Sequence, residues 1–174
     1  PCRWFMILAM QLSPTILREY DIRGTIGENI GEAEFRAIGR AFGSQLRVEG
    51  GESVVVGYDG RLSSPALEAA VTEGLVQAGV RVFRVGRGPS PMCYFAAEYL
   101  GTDAALMVTG SHNPPDYNGI KMTMLGRAFY GPDIQALGAR ISTSDYIEGN
   151  GEIVDAQVFD AYVARLMQDF TGDK

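Results

Sequence analysis

The chain has 174 residues, 46% of them hydrophobic and 21% charged, with a formal net charge of −6. That length fits one domain with a short extension and allows one well-buried core. The acidic balance argues against nucleic acid or an anionic membrane as a partner, because both demand a basic face; a small anionic ligand needs only a few local cations.

The first residues, P-C-R-W-F-M-I-L-A-M, read as part of an extension of uncertain origin over residues 1–13. Its apolar run is too short to span a bilayer. It has one basic residue and no clear small-residue cleavage site, unlike a signal peptide. Met6 or Met10 is a candidate start, and packing of Trp4 and Phe5 on the domain is the alternative. Cys2 and Cys93 form no C-x-x-C pair, and with a single histidine the chain has too few ligands for zinc. Two free thiols in a small acidic chain fit a reducing cytoplasm.

Arg18, Tyr20, Asp21 and Arg23 crowd around Ile22. Two readings are open there: a solvated strand edge with an Asp–Arg pair of little energetic weight, or a guanidinium facing an anion. A helix is expected over 32–48, with Phe35, Ile38, Phe42 and Leu46 as one apolar stripe and Gly50-Gly51 as its stop. The β-branched run at 53–57 predicts a buried strand. Y-D-G-R then turns, Ser63 or Ser64 can cap the next helix, and Pro65 suits its first turn. Leu67, Val71, Leu75 and Ala78 stripe that helix, Gly79 closes it, and a strand follows at 80–85. Such a strand–helix–strand unit normally makes a parallel crossover. Arg61 falls at the carboxyl end of its first strand, where open α/β sheets place ligands, although a surface arginine is the plainer reading.

G-R-G-P-S-P at 86–91 reads as a loop and fails the dinucleotide pattern, since position 91 is proline. A short helix is expected at 92–100, a strand at 103–109, a returning strand at 120–125 and a helix at 132–141. From Ser142 the composition turns polar and glycine-bearing, as in a linker or long loop. An amphipathic helix is expected over 156–170.

Between the strands at 103–109 and 120–125 lies V-T-G-S-H-N-P-P-D-Y-N-G-I-K-M, residues 108–122. Gly110, Pro114, Pro115 and Asn118-Gly119 force sharp turns. Polar loops bent between buried strands are where rigid scaffolds present chemistry. Ser111 follows a glycine directly after a strand, so its hydroxyl projects from a tight corner, and Lys121 returns on the next strand. A hydroxyl nucleophile near a cation suits phosphoryl transfer. A serine hydrolase would need G-x-S-x-G, and position 113 is asparagine.

Three segments, R-E-Y-D-I-R-G at 18–24, G-Y-D-G-R-L-S at 57–63 and T-G-S-H-N-P-P-D-Y-N-G-I-K-M at 109–122, occur in an order and at intervals that resemble the alpha-D-phosphohexomutases, the phosphomannomutase/phosphoglucomutase group. The third segment resembles the bacterial bifunctional branch more than the phosphoglucosamine branch. The resemblance runs from about Pro14 to the end of the chain. It implies an α/β fold, a three-layer α/β/α domain with a mixed, mostly parallel sheet, over residues 14–144. Residues 145–174 would then be a linker and the first helix towards a second domain.

The resemblance also implies an activity. A phosphoserine at Ser111 would exchange phosphoryl groups with hexose 1- and 6-phosphates, with hexose 1,6-bisphosphate as intermediate and activator. Lys121 would be an acid/base and His112 the serine's neighbour. Arg23 would lie near the reacting groups, with Tyr20, Arg61 and Asn113 in the substrate and phosphate environment. Mg²⁺ would touch this chain only through the phosphoryl group on Ser111. The family's aspartate-rich D-G-D-x-D-R metal loop is absent, and Asp59-Gly60-Arg61 is not one. The expectation is therefore a fragment of an isomerase, inactive alone, whose partners are hexose phosphates and missing domains of the same polypeptide. The alternative is a stand-alone sugar-phosphate-binding or protein-interaction domain without catalysis.

Overall fold

Alternation along two buried strands, β2 (Ser53–Tyr58) and β4 (Ala104–Val108), divides the core. Val54, Val56, Leu106 and Val108 face one side, against α1 (Glu32–Val48), α2 (Ser64–Gln77) and α4 (Pro132–Thr143). Val55, Ala105 and Met107 face the other, against Cys93 and Ala96 of α3 (Ser90–Leu100). A strand covered on both faces needs no polar alternation, so V-V-V and A-A-L-M-V read as continuous apolar runs. The outcome is the expected three-layer α/β/α arrangement. The computed structural model describes residues 10–170 and residue 172; the readings placed on Cys2, Trp4, Phe5 and Met6 fall outside them.

Among the described residues the sheet has seven strands, with β1 (Ile22–Thr25), β3 (Arg81–Arg87), β5 (Tyr117–Met124) and β7 (Ile153–Asp155) arranged around β2 and β4 in the order β1-β5-β4-β2-β3-β7. The pairings β2–β4, β2–β3 and β3–β7 are parallel. Strand β5 runs against β1, against β4 and against the short β6 (Arg127–Ala128). The sheet is therefore mixed, with β5 as the reversed strand.

Several boundaries differ from expectation. Strand β3 continues to Arg87 and α3 begins at Ser90, so the expected loop at 86–91 shrinks to a joint; Pro91 sits in the first helical turn, where its missing N–H is harmless. Strand β5 starts at Tyr117 rather than 120 because Tyr117, Asn118 and Gly119 pair with β1. Ser63 makes no side-chain cap on α2, and the Ser64 hydroxyl donates instead to Asp59 at 2.6 Å. The stretch after Ser142 lies against the domain: Gly149 and Gly151 donate to the carbonyls of Gln77 and Val76, both at 2.8 Å. It leads into β7, an edge strand that the composition did not predict. The last helix, α5 (Phe159–Asp169), starts three residues later than expected because Ile153–Asp155 and the turn after it take up the intervening chain. It leans on α3 through Tyr162 and Phe95, with ring centroids 5.6 Å apart. No helix among the described residues is long and apolar enough to cross a membrane.

Candidate active site

The carboxyl ends of β2 and β4 lie side by side, and the Asp59 N–H donates to the Val108 carbonyl at 3.0 Å. Each strand delivers one polar residue into the space beyond: Asp59 from β2 and Thr109 from β4. The Thr109 hydroxyl donates to Asp59 Oδ2 at 2.8 Å and accepts the Ser111 N–H at 2.9 Å. Ser111 itself has φ 55°, a left-handed conformation that non-glycine residues rarely adopt. Such a backbone costs about 1–2 kcal/mol and persists only where neighbours hold it. Its side chain is exposed, as is that of His112, whose Nδ1 lies 3.4 Å from Ser111 Oγ.

Beneath the loop lies Arg61. Nη1 donates to the carbonyls of Pro114 and Tyr117 at 2.6 and 3.0 Å. Nη2 donates to those of Ser111 and Asn113 at 3.0 and 2.7 Å. Nε donates to Asp59 Oδ2 at 3.2 Å, and the side chain is only 14% exposed. All the guanidinium donors have partners within the protein, so Arg61 is bound to the loop's carbonyls and to Asp59. Asn113 is likewise turned inward, its Nδ2 and its N–H both donating to the Gly110 carbonyl at 3.0 and 3.1 Å. Burial works to raise the Asp59 pKa, but hydrogen bonds from Ser64, the Arg61 N–H, Thr109 and Gly110 outweigh it. The group is held below the ordinary carboxylate value.

The cations stand on the neighbouring strands. Arg23 of β1 pairs in register with Gly119 of β5, and Lys121 sits two residues further along β5. Residues two apart share a sheet face, so both side chains reach the same carboxylate. Arg23 Nη2 donates to Asp21 Oδ2, and Lys121 Nζ stands 3.5 Å from the same oxygen. The Asp21 and Arg23 side chains are only 9% and 11% exposed, so the pair is not a solvated strand edge. Arg23 Nε is buried without a protein partner. Tyr20 stands at the rim, 73% exposed and stacked at 6.3 Å on Tyr130.

The structure thus gathers Ser111, His112 and Asn113 in one loop, with Arg61 from the joint between β2 and α2 beneath it, and sets Arg23 with Lys121 on one sheet face. Sequence reasoning gave no role to Asp59 or Thr109, read Asp21 only as half of an Asp–Arg pair and read Asn118 only as a turn residue. Asn118 is fully buried and donates to the hydroxyls of Ser63 and Ser64 at 2.8 and 3.0 Å, tying β5 to the start of α2. An asparagine opening a strand, where burial is costly without partners, was the available signal. Among the described residues, no group of three or more His, Cys, Asp or Glu could hold a metal ion. Asp59, the carboxylate nearest the serine in this network, has both oxygens occupied by donors.

Residues 14–148 match the family described as phosphoglucomutase/phosphomannomutase, alpha/beta/alpha domain I. A phosphomannomutase/phosphoglucomutase of Pseudomonas aeruginosa is 40% identical over 166 residues, covering 95% of this chain and 36% of the relative. A phosphoglucomutase of Neisseria gonorrhoeae is 37% identical, covering 84% of this chain and 32% of the relative. The crystal structure of a phosphoglucomutase/phosphomannomutase family protein from Burkholderia thailandensis superposes with a TM-score of 0.89 at 46% identity, covering 94% of this chain and 37% of that one. The chain spans about a third of the length of each.

Proposed function

Because this chain belongs to the phosphoglucomutase/phosphomannomutase family, we propose that it forms the phosphoserine-bearing domain of a mutase, an isomerase that interconverts hexose 1-phosphates and 6-phosphates. The observation that carries this reading is Ser111: an exposed hydroxyl on a left-handed corner at the carboxyl end of β4, its carbonyl held by Arg61 and its N–H by Thr109.

In this reading Ser111 carries a phosphoryl group. The bond from phosphorus to Oγ breaks and a bond to a free sugar hydroxyl forms. The sugar's proton leaves to a base and Oγ ends protonated. In the second half, Oγ takes the phosphoryl group from the other end of the hexose 1,6-bisphosphate and the proton traffic reverses. Lys121 is the acid/base, since its amine shares a face with Arg23 and has only a long contact to Asp21. Arg23, on the same sheet face, would lie near the reacting groups as their guanidinium. His112 adjoins Oγ and Tyr20 forms the rim. Asn113 supports the turn rather than touching sugar.

The described residues do not fit a Mg²⁺ site of their own. Mg²⁺ enters the reading as an ion that meets the phosphoryl group on Ser111, with its carboxylates supplied by further domains, and no step is routed through it. Domain I is taken to cover 14–144, with 145–174 leading towards a second domain. We place the protein in the cytoplasm, where Cys93 would remain the free, buried thiol it is here.

The test is the intact mass of the chain after incubation with glucose 1,6-bisphosphate and Mg²⁺. The expected result is a gain of one phosphoryl group, absent from Ser111→Ala. A gain retained by Ser111→Ala, or no gain in the wild-type chain at saturating bisphosphate, would overturn the reading.

A further inference from the structure

We infer that Arg61 is a positioning residue for Ser111: its guanidinium gathers four carbonyls of the serine loop and so sets the left-handed turn that presents the hydroxyl. This rests on the reading of Ser111 as the group that takes phosphate, and it assigns to Arg61 a task other than contact with that phosphate.

The case begins with donor count. A guanidinium has five N–H groups in a planar fork. Here four meet the carbonyls of Ser111, Asn113, Pro114 and Tyr117, and Nε meets Asp59. No donor remains for a substrate oxygen. Drawing these carbonyls inward leaves the Ser111 and His112 side chains facing solvent, as both are exposed. Asp59 fixes the other end, accepting the Arg61 N–H at 3.1 Å and Nε at 3.2 Å, so the guanidinium is both neutralised and aimed.

Gly110 supplies an independent observation. A Cβ there would lie 2.4 Å from both Cζ and Nε of Arg61. A methyl group at position 110 would displace the guanidinium from the place where it meets the four carbonyls. Alanine at 110 and loss of the guanidinium at 61 therefore produce the same lesion from opposite sides. Lysine cannot replace the fork, because one ammonium cannot reach carbonyls spread over seven residues.

The experiment compares the wild-type chain with Arg61→Lys, Arg61→Ala, Gly110→Ala and the Arg61→Ala/Gly110→Ala double variant. Two readouts are taken: Ser111 phosphorylation by glucose 1,6-bisphosphate across a concentration series, and amide exchange of the peptide covering residues 110–117. Each single variant, lysine included, is expected to lower the maximal rate of transfer by about 100-fold, the scale of a misplacement near 1 Å. The half-saturating concentration is expected to stay within about threefold, since Arg61 is not itself a substrate ligand. Exchange should rise at 110–117 and stay unchanged elsewhere. The double variant should be no slower than the slower single, because both changes break one contact.

Retained transfer in Arg61→Lys, a half-saturating concentration that rises while the maximal rate holds, or multiplicative effects in the double variant would overturn the inference. If wild-type Ser111 accepts no phosphoryl group, the mutase reading fails separately. Loop exchange then decides the clamp: unchanged protection in Arg61→Lys and Arg61→Ala sinks it.

Discussion

At Asp59 one carboxylate accepts five hydrogen bonds, from the Arg61 N–H and Nε, Ser64 Oγ, Thr109 Oγ1 and the Gly110 N–H. Its partners come from three places in the chain, so it ties the end of β2 to the start of α2 and to the serine loop. The folded pKa lies below the ordinary value of 3.8. The unfolded chain therefore binds the proton more readily, and the stabilisation is complete above the unfolded pKa and lost as pH falls through the folded one. Asp59→Asn removes that linkage and sets an amide among donors that want an anion. The melting-temperature gap between wild type and Asp59→Asn is expected to be constant from neutral pH down to about pH 5 and to narrow below about pH 4. Thermal melts across that range check this; a gap that does not vary with pH would show that the carboxylate's charge contributes nothing.

Among the elements, the crossing of α1 and α2 is set by two glycines. A Cβ on Gly39 would lie 2.2 Å from the Val71 carbonyl oxygen, and one on Gly74 would lie 2.1 Å from that of Arg36 and 2.7 Å from the Arg40 nitrogen. These neighbours are backbone atoms of the facing helix, so neither can swing aside. Alanine gains about 1 kcal/mol over glycine in helix propensity, while overpacking costs about 1–3 kcal/mol. Gly74→Ala is expected to destabilise the domain by up to about 2 kcal/mol and to lower the melting temperature by up to about 8 °C. A higher melting temperature would mean that the helices separate without cost.

The same elements show what was legible in the residues. The stripes of α1 and α2 and the apolar runs of β2 and β4 are local patterns, and each became the buried face it implied. Strand β7 was not legible, because Ile153–Asp155 is only three residues long and is defined only by pairing with β3, some seventy residues earlier. The motifs located Ser111, Arg23 and Lys121. They did not reveal that Arg61 faces inward or that Asp21 joins Arg23 to Lys121, since those contacts span about fifty and one hundred residues. Residue type alone does not say which partner a guanidinium finds.

The whole molecule presents its site as an open face. The side chains of Ser111 and His112 are exposed, Tyr20 is 73% exposed and the Lys121 side chain 33%. A sugar phosphate resting there keeps water on its far side. A charge pair 4 Å apart then contributes about 1 kcal/mol, against about 4 kcal/mol where the effective dielectric falls near 20, so the cations stabilise developing charge weakly. A mutase must also retain its bisphosphate while the two ends exchange places, and an open face offers nothing to retain it. Incubated with glucose 1-phosphate and catalytic glucose 1,6-bisphosphate, this chain alone is expected to yield no glucose 6-phosphate beyond about one equivalent per chain, even where Ser111 accepts phosphate. A coupled assay beside the full-length Pseudomonas aeruginosa relative measures this. Multiple turnovers within about tenfold of that relative would show that one third of the fold suffices for exchange, and that the enclosure argued here is unnecessary.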